Sequence, residues 1–278
     1  MNMNLAVKTP WQMAYGIMAA LQVELRKVRR SKTLWITAVA FSLATFVGGL
    51  FMFILKYPEQ ARRLGLLGAK AQIIGGSADW LSFFNLVLLI ISIGGLIVFG
   101  FIFVWVFGRE FGDKTVYDML SLSTSRLTIV SAKFIIASLW SMVLVVLVFV
   151  LTLGVGAILQ LSAWSLATTL NGLERILVTG LLVALLCIPF ALVASVTRGY
   201  LPAIGCIFLV LVLGQVFSTL GYGQYFPWAV PGLYSGAAEA LTGEATTPLY
   251  LISYILVGLV SVISLAAAGI WWQYADQT

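Results

Sequence analysis

The chain has 278 residues, of which 61% are hydrophobic and 9% charged, with a formal net charge of +6 and no histidine. Soluble domains carry about 25% charged residues, so this composition marks an integral membrane protein with helical spans and leaves no room for a soluble catalytic domain. Without imidazole there is no Ser-His-Asp or Cys-His nucleophile, no HExxH zinc site and no histidine-ligated metal, and no GxxxxGKS or GxxxxGKT loop is present to cradle ATP.

Residues 11–32 open the chain as an amphipathic helix. Trp11, Ala14, Tyr15, Met18, Leu21, Leu25 and Val28 recur at three- and four-residue steps. Arg26, Lys27, Arg29, Arg30 and Lys32 crowd its C-terminal end, with Glu24 the only acid among them. A basic helix of this kind lies in the membrane interface, apolar side down. The apolar run that follows is too long for a cleaved signal, and no small-residue cleavage site succeeds it.

Six runs reach the roughly 20 residues needed to cross a bilayer. They cover about 33–55, 83–107, 134–159, 176–196, 200–220 and 249–273. Lys56–Leu81 reads as an exposed loop with a short helix from Pro58, and Gln160–Asn171 as a polar turn before Glu174 and Arg175 open span 4. Pro189 should kink that span, whereas Pro202 falls in the first turn of span 5, where its missing N–H costs little. Trp271, Trp272 and Tyr274 read as an interfacial aromatic belt. Cys187 and Cys206 sit inside apolar runs as small hydrophobes.

The segment 221–248 is aromatic, glycine-rich and almost uncharged, with Pro227 and Pro231 four apart. It reads either as re-entrant or interfacial helices or as an ordinary aromatic-belt loop, since non-helical backbone at membrane depth needs protein or a wet cavity to satisfy it.

Of the 16 Lys and Arg, 11 fall on one side: Lys8, Arg26, Lys27, Arg29, Arg30, Lys32, Arg109, Lys114, Arg126, Lys133 and Arg198. The opposite loops hold Lys56, Arg62, Arg63, Lys70 and Arg175. The positive-inside bias then predicts that both termini and the 108–133 segment are cytoplasmic. The spans themselves read as free of buried Asp, Glu, Lys and Arg, which argues against a proton- or ion-coupled carrier. Asn85, Ser92, Thr152, Gln215 and Ser218 read as interhelical hydrogen-bonding groups.

Gly108–Lys133 is the polar island between spans 2 and 3. Asp113 can cap a short helix through Leu120 whose apolar side holds Val116, Tyr117 and Leu120, and Ser125 can cap span 3. Arg109, Glu110, Asp113, Lys114 and Asp118 give it a mixed-sign surface. An apolar edge beside those charges suits a helix pressed into a groove of a soluble partner better than a solvated turn.

Three stretches resemble the permease subunits of bacterial ABC exporters of the type-2 exporter family, in particular its bacitracin-export and antibiotic-peptide-immunity branch. VELRKVRRSKTLWI (Val23–Ile36) looks like the connecting helix entering span 1. FGREFGDKTVYDMLSLSTSRLTIVSAK (Phe107–Lys133) is similar to the family's connector before span 3, and FPWAVPGLYS (Phe226–Ser235) to its outer segment between spans 5 and 6. Many members place Gly and Thr adjacent where this chain has Gly112-Asp113-Lys114-Thr115. The resemblance implies an all-α fold of six spans with an N-terminal connecting helix (Glu24, Arg26, Lys27, Arg29, Arg30). It also implies a coupling region at 108–130, with Arg109, Glu110, Phe111, Asp113, Lys114, Thr115, Tyr117, Leu120 and Arg126 facing an ATPase.

It further implies a half-transporter in the bacterial cell membrane that works with two copies of a cytoplasmic ABC ATPase and a second permease chain, surrounded by lipid and without nucleic acid. ATP and Mg would sit in the ATPase subunit, and this chain would hold no cofactor and do no catalysis. The expected task is outward movement of an amphiphilic substrate (peptide antibiotic, drug or lipid-like) and hence antibiotic resistance. A membrane scaffold or sensor that docks an ATPase, a secondary carrier or channel, and an intramembrane enzyme are the rival classes.

Overall fold

The computed structural model describes residues 10–65, 77–112, 125–236 and 248–274. In chain order these form α1 (Pro10–Arg30), α2 (Lys32–Lys56), α3 (Pro58–Arg63), α4 (Trp80–Gly112) and α5 (Arg126–Ile158). There follow α6 (Leu166–Leu186), α7 (Ile188–Val196), α8 (Leu201–Thr219), α9 (Val230–Ser235) and α10 (Leu251–Tyr274). Among the described residues, six helical stretches are long and apolar enough to cross a membrane: α2, α4, α5, α6 with α7, α8 and α10. The protein is an all-α, multi-pass membrane protein.

Several helix ends follow local chemistry. The Ser125 hydroxyl accepts from the Thr128 N–H at 3.2 Å and caps α5, as Ser165 does for α6 through Thr168 at 3.0 Å. Pro202 occupies the first turn of α8. Other ends differ from the apolar runs. α4 continues past Phe107 to Gly112 because no breaker intervenes, and α5 begins at Arg126, well before Phe134. α6 starts at Leu166, so Glu174 and Arg175 lie inside a helix rather than at its entry.

α4 is the central post. Phe83, Phe99, Phe103 and Phe107 along it are fully buried. Side chains do not drive helices together in lipid by hydrophobicity, so close backbone approach matters more. Gly172 of α6 lies against Phe84, where an added Cβ would come within 2.9 Å of the ring, and Gly180 meets Val145 of α5 in the same way at 2.5 Å. The outward faces of α2, α8 and α10 carry exposed Trp35, Phe46, Phe208, Val212 and Ile263, as a lipid-facing perimeter requires.

Pro189 does more than bend span 4: it splits it into α6 and α7 at Cys187. After α8 the chain does not leave the bundle at once. Two short 3-10 turns (Gly223–Tyr225 and Pro227–Ala229) and α9 fold back against α4, α6 and α10. Their backbone is tied by side chains: Ser92 donates to the Pro231 carbonyl at 3.3 Å, Trp228 Nε1 to the Leu186 carbonyl at 3.1 Å, and Arg175 to the Ser235 carbonyl. Gly236, with φ of 55°, supplies the left-handed turn that ends α9.

Candidate functional site

The long reach of α4 and α5 has a consequence for the charges at their ends. α1 packs along α5, and the three helices enclose five ionisable side chains. Glu24 comes from α1, Arg109 and Glu110 from the last turns of α4, and Lys133 from the third turn of α5; all four are buried, with Lys133 fully so. Lys27 of α1 closes the group and is a third exposed.

The contacts form a closed web. Lys133 Nζ lies 2.8 Å from Glu110 Oε1 and 3.3 Å from Glu24 Oε1. Lys27 Nζ bridges the same two carboxylates at 2.9 Å and 3.1 Å. Arg109 Nη2 donates to Glu24 Oε2 at 2.9 Å, and its Nε is 3.5 Å from Glu110 Oε1. The guanidinium also stacks 4.6 Å from the Trp105 ring. Lys133 spends a further proton on the Val106 carbonyl at 3.2 Å.

Glu110 stands at the C-terminal end of α4, where the helix dipole disfavours a carboxylate. The two lysines against it offset that cost. A buried web of this kind adds little net stability over well-packed apolar residues, but removing one member leaves another charge uncompensated. Its main physical effect is to fix register. α1 cannot slide against α4 and α5 without stripping a buried charge of its partner.

Beside the web lies an aromatic cluster from the ends of three helices. Phe107 meets Phe134 at 4.6 Å between ring centroids, Phe111 meets Trp272 at 5.7 Å and Trp271 at 6.0 Å, and Trp272 donates to the Ser195 hydroxyl at 3.0 Å. Trp272 is therefore buried in the bundle and not part of an interfacial belt, while Tyr274 stays exposed. Arg126 reaches the Gln273 carbonyl at 3.3 Å and so holds the end of α10 to the start of α5.

The residues expected to face an ATPase thus divide. Arg109 and Glu110 turn inward, into the web. Phe111 is half-buried against the two tryptophans, and Arg126 contacts α10. Asp113, Lys114, Thr115, Tyr117 and Leu120 lie outside the described residues. On the connecting helix, Glu24 and Lys27 point into the bundle, whereas Arg26, Arg29 and Arg30 are exposed. The expectation that buried charge is missing from the spans is corrected here: the helices extend into the polar island and bury its first and last ionisable groups. Lys133 is the functional candidate that sequence reasoning passed over, although it continues the apolar row of Val130, Phe134 and Ala137 at helical spacing.

Residues 20–215 match the family model for ABC-2 family transporter proteins. The chain belongs to the ABC-2 transporter family. The matched region of this ABC-2 protein runs from within α1, through the whole web, into α8. The protein is also 26% identical over 189 residues to the bacitracin transport permease protein BCRB of Bacillus licheniformis, an alignment covering 68% of this chain and 88% of that one. As an ABC-2 protein it is a membrane permease of an ABC transporter, a family whose transport is powered by an ABC ATPase.

Proposed function

We propose that this permease is the membrane-spanning half of an ATP-driven exporter that moves an amphiphilic substrate outward across the bacterial cell membrane. Both termini and the 113–124 connector face the cytoplasm. Two copies of a separate ATPase subunit bind there, and a second permease chain completes the pathway. The likeness to a bacitracin permease makes bacitracin, an amphiphilic peptide antibiotic, the first cargo to test.

The observation that carries this reading is the buried web between α1, α4 and α5. The connector joins the ends of α4 and α5, and the web clamps those ends to each other and to α1. A displacement applied at the connector therefore moves three helices as one body. ATP drives the step only through its different affinity for the ATPase in the two packings of the bundle, and the web carries that difference into the membrane. Cofactor chemistry is confined to ATP and Mg in the ATPase.

The test is ATP-dependent uptake of labelled bacitracin into inverted vesicles holding the permease and its ATPase. Uptake should need both subunits and nucleotide. Uptake by the purified permease alone, without nucleotide, would overturn the reading.

A further inference from the structure

Pro189 lacks the N–H that would bond to the carbonyl of Leu185, four residues earlier. The local chain compounds the loss: the Phe190 N–H bonds to the Cys187 carbonyl at 3.1 Å instead of to Leu186. Two carbonyls are thereby opened, and a carbonyl left without a donor inside a membrane bundle is costly because lipid offers none. Each faces a donor from a different element. The Ser261 hydroxyl of α10 shares its one proton between the Val257 carbonyl of its own helix at 2.8 Å and the Leu185 carbonyl at 3.1 Å, and Trp228 Nε1 of the folded-back segment donates to the Leu186 carbonyl at 3.1 Å.

Both halves of span 4 pack on α4 and on α10, and they differ in their remaining neighbours. α6 is wedged against Phe84 of α4 and Val145 of α5 at Gly172 and Gly180. α7 packs on α8, with Phe190 and Ile207 meeting at Gly100 of α4 and Ser195 accepting from Trp272 of α10. An aromatic row runs from Phe217 of α8 through Phe226 at 5.0 Å and Trp228 at 5.5 Å to Phe190 of α7 at 6.3 Å. The donor on Leu186 therefore belongs to a row that joins the folded-back segment to the start of α7.

We infer that Trp228 and Ser261 are positioning residues for transport: their hydrogen bonds to the carbonyls opened by Pro189 latch a hinge in span 4 and hold the folded-back segment seated against it. Opening the pathway on that side requires both bonds to be released together. The place of this latch in a transport cycle rests on the exporter reading, whereas the latch itself does not.

Cys187 reports on it directly, because it sits at the break and is fully buried. The experiment measures the rate at which methyl methanethiosulfonate modifies Cys187 in the purified permease in lipid nanodiscs, with Cys206→Ala as parent. Trp228→Phe should speed modification by about tenfold, the size expected for the loss of one hydrogen bond, and Ser261→Ala by about threefold, because its proton is shared with Val257. Pro189→Ala restores the missing donor to Leu185 and frees Phe190 to bond Leu186. In that background Ser261→Ala and Trp228→Phe should change the rate less than twofold. Ser261→Ala removes a single oxygen, so the test stands even where Trp228→Phe fails to fold. Equal rates in parent and Ser261→Ala, or an acceleration that persists at full size beside Pro189→Ala, would overturn the latch. Neither outcome depends on cargo or on an ATPase, so failure here is distinct from failure of the exporter reading.

Discussion

Lys133 and Glu110 meet at 2.8 Å, the lysine fully buried and the carboxylate almost so, although one belongs to α5 and the other to the end of α4. The pair is the centre of the web, and its removal is the most direct perturbation of it. Lys133→Met should destabilise the permease by about 3 kcal/mol, the lower end of the range for breaking a buried ion pair, because Lys27 and Arg109 still contact the carboxylates. A thermal unfolding midpoint in detergent checks this; a midpoint equal to the parent's removes the web from any structural role.

Charges on the two faces of α1 should behave differently. Arg26, Arg29 and Arg30 are exposed, and replacing all three with Gln should leave the midpoint nearly unchanged, within about 0.5 kcal/mol per site. Glu24→Gln, on the buried face, leaves Arg109 and Lys133 with one carboxylate fewer and should cost several times more. Comparison of the two variants in the same detergent decides it.

Glycine contacts set how closely α6 approaches α4. Gly172→Ala puts a methyl group 2.9 Å from the buried Phe84 ring and should destabilise by about 1–3 kcal/mol through overpacking. Gly154 of α5 has nothing within 4 Å of an added Cβ, so Gly154→Ala should be neutral or slightly stabilising for the single chain. Equal effects from both would contradict the packing described for α4 and α6.

Asp79 precedes α4 and accepts from the Ser77 hydroxyl at 2.5 Å and the Ser82 N–H at 2.7 Å. Partial burial pushes its carboxyl up, but these hydrogen bonds outweigh that and leave the pKa below the ordinary 3.8. A depressed folded-state pKa contributes stability that is present above the unfolded value and is lost as pH falls through the folded one. Asp79→Asn should therefore flatten the fall in thermal midpoint below about pH 4 and leave its pH dependence above pH 6 unchanged. An identical acid limb in the variant would remove Asp79 from the acid response.

Much of the architecture was legible in the residues alone, because a helix in lipid must be apolar over its crossing length. The six runs correspond to the six membrane-crossing stretches among the described residues, Ser125 caps α5, and Pro189 breaks span 4 into α6 and α7. The site was less legible. Arg109, Glu110 and Lys133 look like solvated island residues when read locally, and only the packing of α1 across α4 and α5 buries them. One signal was available: from Val106 to Gly112 nothing stops the helix, and Lys133 sits on the apolar row of α5. Trp272 misled for a similar reason, since an aromatic at a span end reads as interfacial until three helix ends converge on it.

The proposal that a separate ATPase moves this permease through its 113–124 connector has one direct test. Tyr117→Cys, with Cys187→Ala and Cys206→Ala, can be labelled with a photoactivatable maleimide in membranes that also hold the ATPase. Illumination should yield an adduct between permease and ATPase that forms only when the label reaches the inner face. Labelling of position 117 from the cell exterior, with no ATPase adduct, would contradict it.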